Sequence, residues 1–365
     1  MAFNIIGHVP HNAFSEQPEA RRAAEIDLPW ISECARIHER AGFDSVLIGH
    51  DAWRPNAWLL AAHIAAQTER LGVCIAERPG TALPTYVARQ AITLERLAGR
   101  GRVTLHVVTG GSEKDQRRDG DQIDYARRYD RCAEYLDIVR QTWRAAAPFD
   151  YQGDYFQLRE AWSPAQPLAH GSIGLSFAGT SEEALDLSAR YADLHMLWGE
   201  PLAETAQKIA TLQQRAAAQG RQLQFSISQR AIVEDSEKLA WEKAEHLYQQ
   251  ALKQLGPKAD QPADFKLDMQ QSASARQLNE LAARRDIYDE RLWMKYARVL
   301  KVGGSTTALV GTAEQVAEAF LRYRQLGVSA WYLRGWDIAE DARRYGEQLI
   351  PLLRARVAAA EEALA

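Results

Sequence analysis

Four basic residues, Arg54, Arg230, Lys301 and Arg334, are placed to point toward one end of the fold if its strands run as expected. A guanidinium presents a fixed fork of donors that fits sulfonate, carboxylate or phosphate oxygens. Any of these cations could also stabilise negative charge developing on an oxygen during a reaction. A second kind of site is suggested by Gly179-Thr180-Ser181, which follows an apolar run and opens the helical stretch EEALDLSARY. The first turn of a helix offers unpaired N–H groups and the positive end of its dipole, so this turn can seat a phosphate. A plainer reading makes Thr180 and Glu183 a capping box and nothing more. In VTLHVVTGG, strand alternation puts His106 and Val108 on one face, with Val107 and Thr109 on the other. Trp53, Trp331 and Trp336 add aromatic surface that could wall a cavity among these groups.

Positioning such groups requires elements that end on one side of the fold. From Ala76 to Gly110 the order is strand, loop, helix, strand. Val87, Ala91, Leu94 and either Leu97 or Ala98 mark the helix's buried face. Pro84 suits the first helical turn, and Gly99 and Gly101 stop the helix. The same theme recurs, with strands expected near 3–9, 44–49, 71–76, 102–108, 172–177, 193–197, 223–230 and 329–334 and helical patterns between them. Eight such units predict an α/β fold, a (β/α)8 TIM barrel with its site at the carboxyl ends of the strands. A doubly wound sheet is the competing architecture. Two stretches exceed ordinary loop length. Residues 145–171 read as a short hairpin laid over the barrel. Residues 256–304 form a large insertion before the last strand and read as a partly helical mobile lid. The whole of 1–365 is expected to be one domain.

Composition sets outer limits. The formal net charge of -4 gives no reason to expect nucleic acid or an anionic membrane as partner. Cys34, Cys74 and Cys132 lie far apart without a CxxC, so neither a disulfide framework nor a zinc cluster is signalled. No run approaches the roughly 18 apolar residues of a membrane span. FNIIGHV near the start lacks the build of a signal peptide, so the expected location is cytoplasmic.

AERPG, ARQAITLERLAGRGR, VVTGG, DGDQIDYARRYDR, FDYQGDYFQL, FAGTSEEALDLSARYADLHMLWGEP, GGSTTALVGTAEQVAEAF and YGEQLIPLL occur in that order over almost the whole chain. Together they resemble the bacterial luciferase-like flavin monooxygenases, and most nearly the FMNH2-dependent alkanesulfonate monooxygenases. The resemblance implies a TIM barrel and FMN held in its reduced form. It also implies O2 as co-substrate, a separate NAD(P)H-dependent FMN reductase as partner, and a homodimer or homotetramer. On the residues it implies a phosphate seat at Gly179, Thr180 and Ser181, helped by Tyr125 and Tyr129. Tyr125 stands where relatives carry His, and Arg127 or Arg128 could replace the lost charge. His106, where the family commonly has Asn, Thr109 and Trp198 are expected against the flavin ring. Ala76-Glu77 falls where relatives often carry a non-prolyl cis peptide, which would let the backbone approach the flavin.

The reactive half departs from the alkanesulfonate enzymes. Their Arg and His on the seventh strand become Ser228 and Arg230, and their cysteine after the second strand becomes Arg54. The arginine before the lid's GG becomes Val302, with Lys301 beside it. Their tyrosine and serine at the last strand's exit become Trp336 and Arg334. Arg230, Arg334 and Trp336 are therefore the expected catalytic residues, and Arg54, Ser228 and Lys301 the substrate contacts. The expected substrate is a small anionic organic molecule, with a functionalised organosulfonate releasing sulfite as one class. Two other readings stand beside this: a non-catalytic flavin-binding relative, and a metal-dependent TIM-barrel hydrolase using His8, His11, His195 and Asp337.

Overall fold

Eight parallel strands close into a ring in the computed structural model, which describes residues 3–13, 26–110, 112–163, 173–255, 273–300 and 305–362. In chain order the first strands are β1 (Asn4–His8), β2 (Ser45–Ile48), β3 (Gly72–Glu77) and β4 (Val103–Val107), followed by β5 (Phe149–Gln152) and β6 (Gln157–Ala161). Then come β7 (Gly174–Ala178), β8 (Leu194–Trp198), β9 (Gln224–Val233), β10 (Ile287–Tyr288), β11 (Leu292–Trp293), β12 (Ala308–Gly311) and β13 (Val328–Arg334). The ring runs β1-β2-β3-β4-β7-β8-β9-β13 and shuts where Ile5 pairs with Trp331. Closure leaves none of these eight strands as an edge, which excludes the doubly wound sheet.

Helices between strands form because their apolar residues recur on one side. In helix Pro84–Ala98, Val87, Ala88, Ala91, Ile92, Leu94 and Ala98 are buried, and Gly99 at φ 100° ends it. Ala98, not Leu97, completes the buried face; Leu97 is 75% exposed. Strand alternation then sorts side chains into two populations. Val46, Ile75, Leu105, Leu175, Phe225 and Trp331 join the helices in the main core. Ile6, Met196, Ala330 and Tyr332, with Leu47, Ala178 and Leu194, form a separate cluster inside the barrel.

β9 is longer than its partners, and its two halves do different jobs. Up to Arg230 it pairs with β13, while from Arg230 to Val233 it pairs with β12. The short ALVG run of β12 lies outside the strands expected from sequence; it sits between the end of the insertion and helix Ala313–Gln325, which Thr312 caps. On this extension sits a second core of Ile232, Leu247, Trp293, Tyr296, Val310 and Trp336. Its walls are helix Glu237–Leu255, Trp293 of β11 and helix Lys295–Leu300, whereas Leu278, Leu281 and Ala282 of the insertion's helix Ala273–Arg284 join the main core. Residues 256–272 and 301–304 of the expected lid lie outside the described residues, as do 164–171 of the covering segment. The antiparallel β5–β6 hairpin rests on the flank of helix Arg128–Arg144. There the Glu134 carboxylate accepts N–H bonds from Asp154, Tyr155 and Phe156 at 2.8, 3.0 and 3.2 Å.

All three cysteines are buried and free. Among the described residues no helix is long and apolar enough to cross a membrane. Trp331, expected as a cavity wall, instead faces the helices. Its ring stacks on Phe320 with centroids 4.4 Å apart, and its Nε1 donates to the Gln229 carbonyl at 3.2 Å. Truncating Trp331 to Ala should therefore cost about 3–5 kcal/mol of stability through the cavity it leaves. Urea unfolding would measure this, and a loss below about 1 kcal/mol would contradict the packing.

Candidate functional site

The carboxyl ends of the strands carry the polar groups. His106 points into the barrel, and its Nδ1 is 3.0 Å from the hydroxyl of Ser176, its register partner on β7. Burial pushes the His106 imidazole down to about 4, so it is neutral near pH 7. Ser176 escaped the sequence reading, although its signal was there: it sits two residues before Ala178 on the inward face. Cys74 Sγ lies 4.0 Å from the same Ser176 hydroxyl.

Beyond β7 the chain turns at Gly179, whose φ of 120° and close approach to Ala184 leave no room for a side chain. Ser181 caps the helix Glu182–Tyr191 by accepting from the Ala184 N–H at 3.3 Å. The expected Thr180–Glu183 capping box is thereby corrected: the capping position falls one residue later. Thr180 instead meets the Ser274 hydroxyl at 2.8 Å, bringing the insertion's helix onto this turn. Ser181 also donates to the Tyr129 hydroxyl at 3.3 Å. Tyr125 packs edge-on to Tyr129 and is half exposed.

Arg128 completes this corner. Its side chain is buried, lies over the Tyr125 ring, and donates to the Gly110 carbonyl at 3.3 Å. Its Nε has no partner among the described residues. Arg127 points away and donates to the Tyr155 hydroxyl at 3.1 Å. Of Arg127 and Arg128, Arg128 is the one packed on the Tyr125–Tyr129 pair that reaches the turn through Ser181. Near it, the Thr109 carbonyl accepts from Gln116 at 2.7 Å. Trp198 ends β8 on the inward side, in register with Ser228. These groups can hold a dianion at the turn and a flat ring above His106.

Ala76-Glu77 differs from expectation. No cis peptide occurs among the described residues; Ala76 and Glu77 continue the parallel ladder opposite His106 and Val107. Ala76 faces inward, and alternation sends Glu77 outward between helices. There its carboxylate accepts from Trp58 Nε1 at 2.9 Å and from the Tyr135 hydroxyl at 3.0 Å. Burial outweighs these bonds and pushes the Glu77 carboxyl up to about 7.

On the expected substrate side, Arg54 is exposed and paired with Asp51 at 2.7 Å. Trp53 is 61% exposed, with Arg118 stacked 3.9 Å over it, so it stands on the rim and does not wall a cavity. Ser228 bonds the Ser305 hydroxyl at 2.7 Å. Arg230 is buried, donating to the Ser305 and Gly335 carbonyls. Trp336 packs in the second core under that guanidinium, and Arg334 is half buried at the β13 exit. Lys301 lies outside the described residues. His50, directly after β2, also escaped the sequence reading. Its Nε2 is buried without a partner among the described residues, close to Arg78, which is held by Asp115 at 2.6 Å and by Asp119. His195 faces outward and bonds Ser188 at 2.7 Å, which removes it from any metal site at the mouth. Among the described residues no three His, Cys, Asp or Glu side chains cluster as metal ligands.

The model of the luciferase-like monooxygenase family matches residues 9–330. Among solved structures, the chain is similar to a riboflavin lyase determined with modified FMN and riboflavin. That match has a TM-score of 0.77 and 19% identity, and covers 98% of this chain and 92% of the other. An EDTA monooxygenase from Chelativorans sp. BNC1 gives a TM-score of 0.77 at 16% identity, covering 98% and 94%. An F420-dependent secondary alcohol dehydrogenase gives 0.67 at 18%, covering 97% and 99%. At these identities the structural likeness shows the fold.

The raised Glu77 carboxyl has a consequence for stability. Between the unfolded value near 4.5 and the folded value of about 7, the native state holds a proton that the unfolded chain has lost. Stability from this group is complete below pH 4.5 and is lost as pH rises through 7. Glu77→Gln should flatten that decline, by a few kcal/mol at most. Urea midpoints of both proteins from pH 4.5 to 8 test it; parallel pH curves would refute the assignment.

Proposed function

We propose, on the premise that the chain belongs to the luciferase-like monooxygenase family, that it uses reduced FMN and O2 to oxygenate a small anionic organic substrate. Buried Arg128 is the observation that carries this reading. A buried guanidinium that meets no carboxylate, and whose Nε lacks a partner among the described residues, is costly unless an anion completes it. It stands where the helix turn Gly179–Ser181, Tyr129 and Tyr125 converge, and a phosphate matches that donor set. The cofactor's phosphate would be held there, and its ring between His106, Thr109, Trp198 and the inward backbone at Ala76. When bound, reduced FMN supplies the electrons that activate O2. The chain's own residues bind, orient and shield. His106, kept neutral by burial and steadied by Ser176, orients the ring by hydrogen bonding and adds no charge. The Thr180–Ser274 contact draws the insertion over the β7 exit, which keeps water from the site.

An anionic substrate is supported by Arg54 and Arg334 at the exits of β2 and β13. A functionalised organosulfonate, cleaved with release of sulfite, is one such substrate. Reduced FMN would come from a separate NAD(P)H-dependent reductase. Assembly as a homodimer is supported by an apolar groove of about 360 Å³ between helices Ala57–Gln67 and Pro84–Ala98. Leu59 and Leu97 on its sides are 73% and 75% exposed, apolar surface that a second copy would cover.

Anaerobic titration should show tight binding of FMNH2. Arg128→Gln should weaken it about tenfold or more, as expected for losing a charge-assisted bond. Absence of FMNH2 binding, or tighter binding of reduced F420, would overturn the cofactor assignment. Oxygen uptake with a panel of sulfonates and carboxylates then tests the substrate class, read against the reductase-only background. For the assembly, Leu97→Glu should convert the wild-type dimer to monomer in analytical ultracentrifugation. An unchanged mass would reject this face as the interface.

A further inference from the structure

We infer that Arg230 is a positioning residue, a latch that ties the end of the insertion to the exit of β13, and is not a ligand for the substrate. Its place in the strands gives the first reason. β9 last pairs with β8 at Ser228, opposite Trp198, and first pairs with β12 at Arg230, opposite Ala308. At that same residue β9 still faces Arg334 of β13. Arg230 is thus the fork at which the barrel ladder hands over to the satellite sheet.

The side chain provides the second reason. The Arg230 Nε donates to the Ser305 carbonyl at 2.6 Å, and one terminal nitrogen donates to the Gly335 carbonyl at 2.6 Å. Its guanidinium carbon lies 4.6 Å from the Trp336 ring and 5.6 Å from the Tyr296 ring. Those four contacts come from three separate segments: the return of the insertion, the β13 exit, and the helix Lys295–Leu300. A fork of rigid donors can hold two carbonyls at once, and aromatic faces steady the cation where water is excluded. Only 1% of Arg230 is exposed.

Both clamped loops show why holding is needed. Ser305 sits at φ 49°, a left-handed conformation that a serine adopts at a cost. It is kept there by Arg230 at its carbonyl and by Ser228 at its hydroxyl. After Gly335, the Asp341 carboxylate accepts from the Trp336 and Asp337 N–H groups at 2.7 and 3.0 Å, so the loop is held from both sides. Trp336, which joins the second core, is thereby fixed against the mouth of the barrel. None of this depends on which ligand the mouth accepts.

Amide hydrogen exchange on the full-length, ligand-free protein tests the latch. In R230M, peptides covering 305–311 and 335–341 should exchange about tenfold faster or more, while 72–77 and 103–107 keep wild-type rates. In R230A, low-millimolar guanidinium should restore protection in both segments where sodium chloride at equal ionic strength does not. A merely space-filling side chain would show no such rescue. Wild-type exchange in either segment of R230M, or failure of the rescue, overturns the latch. If R230M does not fold, R230K keeps the charge without the fork and must show the same acceleration. Calorimetry with methanesulfonate adds a contrary outcome: lost binding in R230M with exchange unchanged would make Arg230 an anion anchor. FMNH2 affinity is measured separately, so failure of the cofactor reading leaves the exchange result standing.

Discussion

Everything at the mouth of this barrel follows from one constraint, the two-residue alternation of strands locked in a closed parallel ladder. Once Ile5 pairs with Trp331, each strand has lost the freedom to slip, because a one-residue slip would exchange its inner and outer faces. That is why His106 and Ser176 meet inside, and why Glu77 and His195, chemically just as able, are spent between helices. Reactivity here is sorted by parity before it is tuned by burial.

Burial then acts differently on the two sides. Inside, His106 is held neutral, which suits a group that aligns a ring by a hydrogen bond. Outside, Glu77 keeps a proton to about neutrality because desolvation outweighs two donated bonds. The arginines divide along the same line. Arg78 and Arg131 meet carboxylates of Asp115 and Asp121, whereas buried Arg128 finds a carbonyl and a ring among the described residues. Arg128, packed on Tyr125, is therefore a buried cation with no carboxylate bonded to it among the described residues.

Elements with strong periodicity were legible from sequence. All eight barrel strands, the helix from Pro84 and the unit from Ala76 to Gly110 appear where alternation, Pro and Gly signals put them. The turn at Gly179–Ser181 was legible too, although not which residue caps the helix, since Thr180 and Ser181 offer the same hydroxyl chemistry. What sequence could not carry was the fate of long side chains. Arg230 reads as an anion ligand because nothing local reveals carbonyls at residues 305 and 335, some 75 and 105 positions away. β12 was missed because four residues are too few to show a period. Ser176 and His50 were missed for a plainer reason: a single polar residue at a strand end has no pattern to mark it.

A buried arginine at the β9 fork also bears on how the insertion stays in one place. Apolar contacts alone would let the satellite core slide, because hydrophobic packing has little direction. Burying a cation costs desolvation that an apolar residue would avoid, so its gain must lie in geometry. Arg230 supplies that geometry, since its planar fork satisfies Ser305 and Gly335 together only when the insertion's return and the β13 exit stand in one relation. The aromatic pair of Tyr296 and Trp336 covers the guanidinium and makes the same relation the one in which the second core is closed. A departure from the alkanesulfonate pattern that reads as new substrate chemistry is, in the folded chain, accounted for by how this protein holds its own cover.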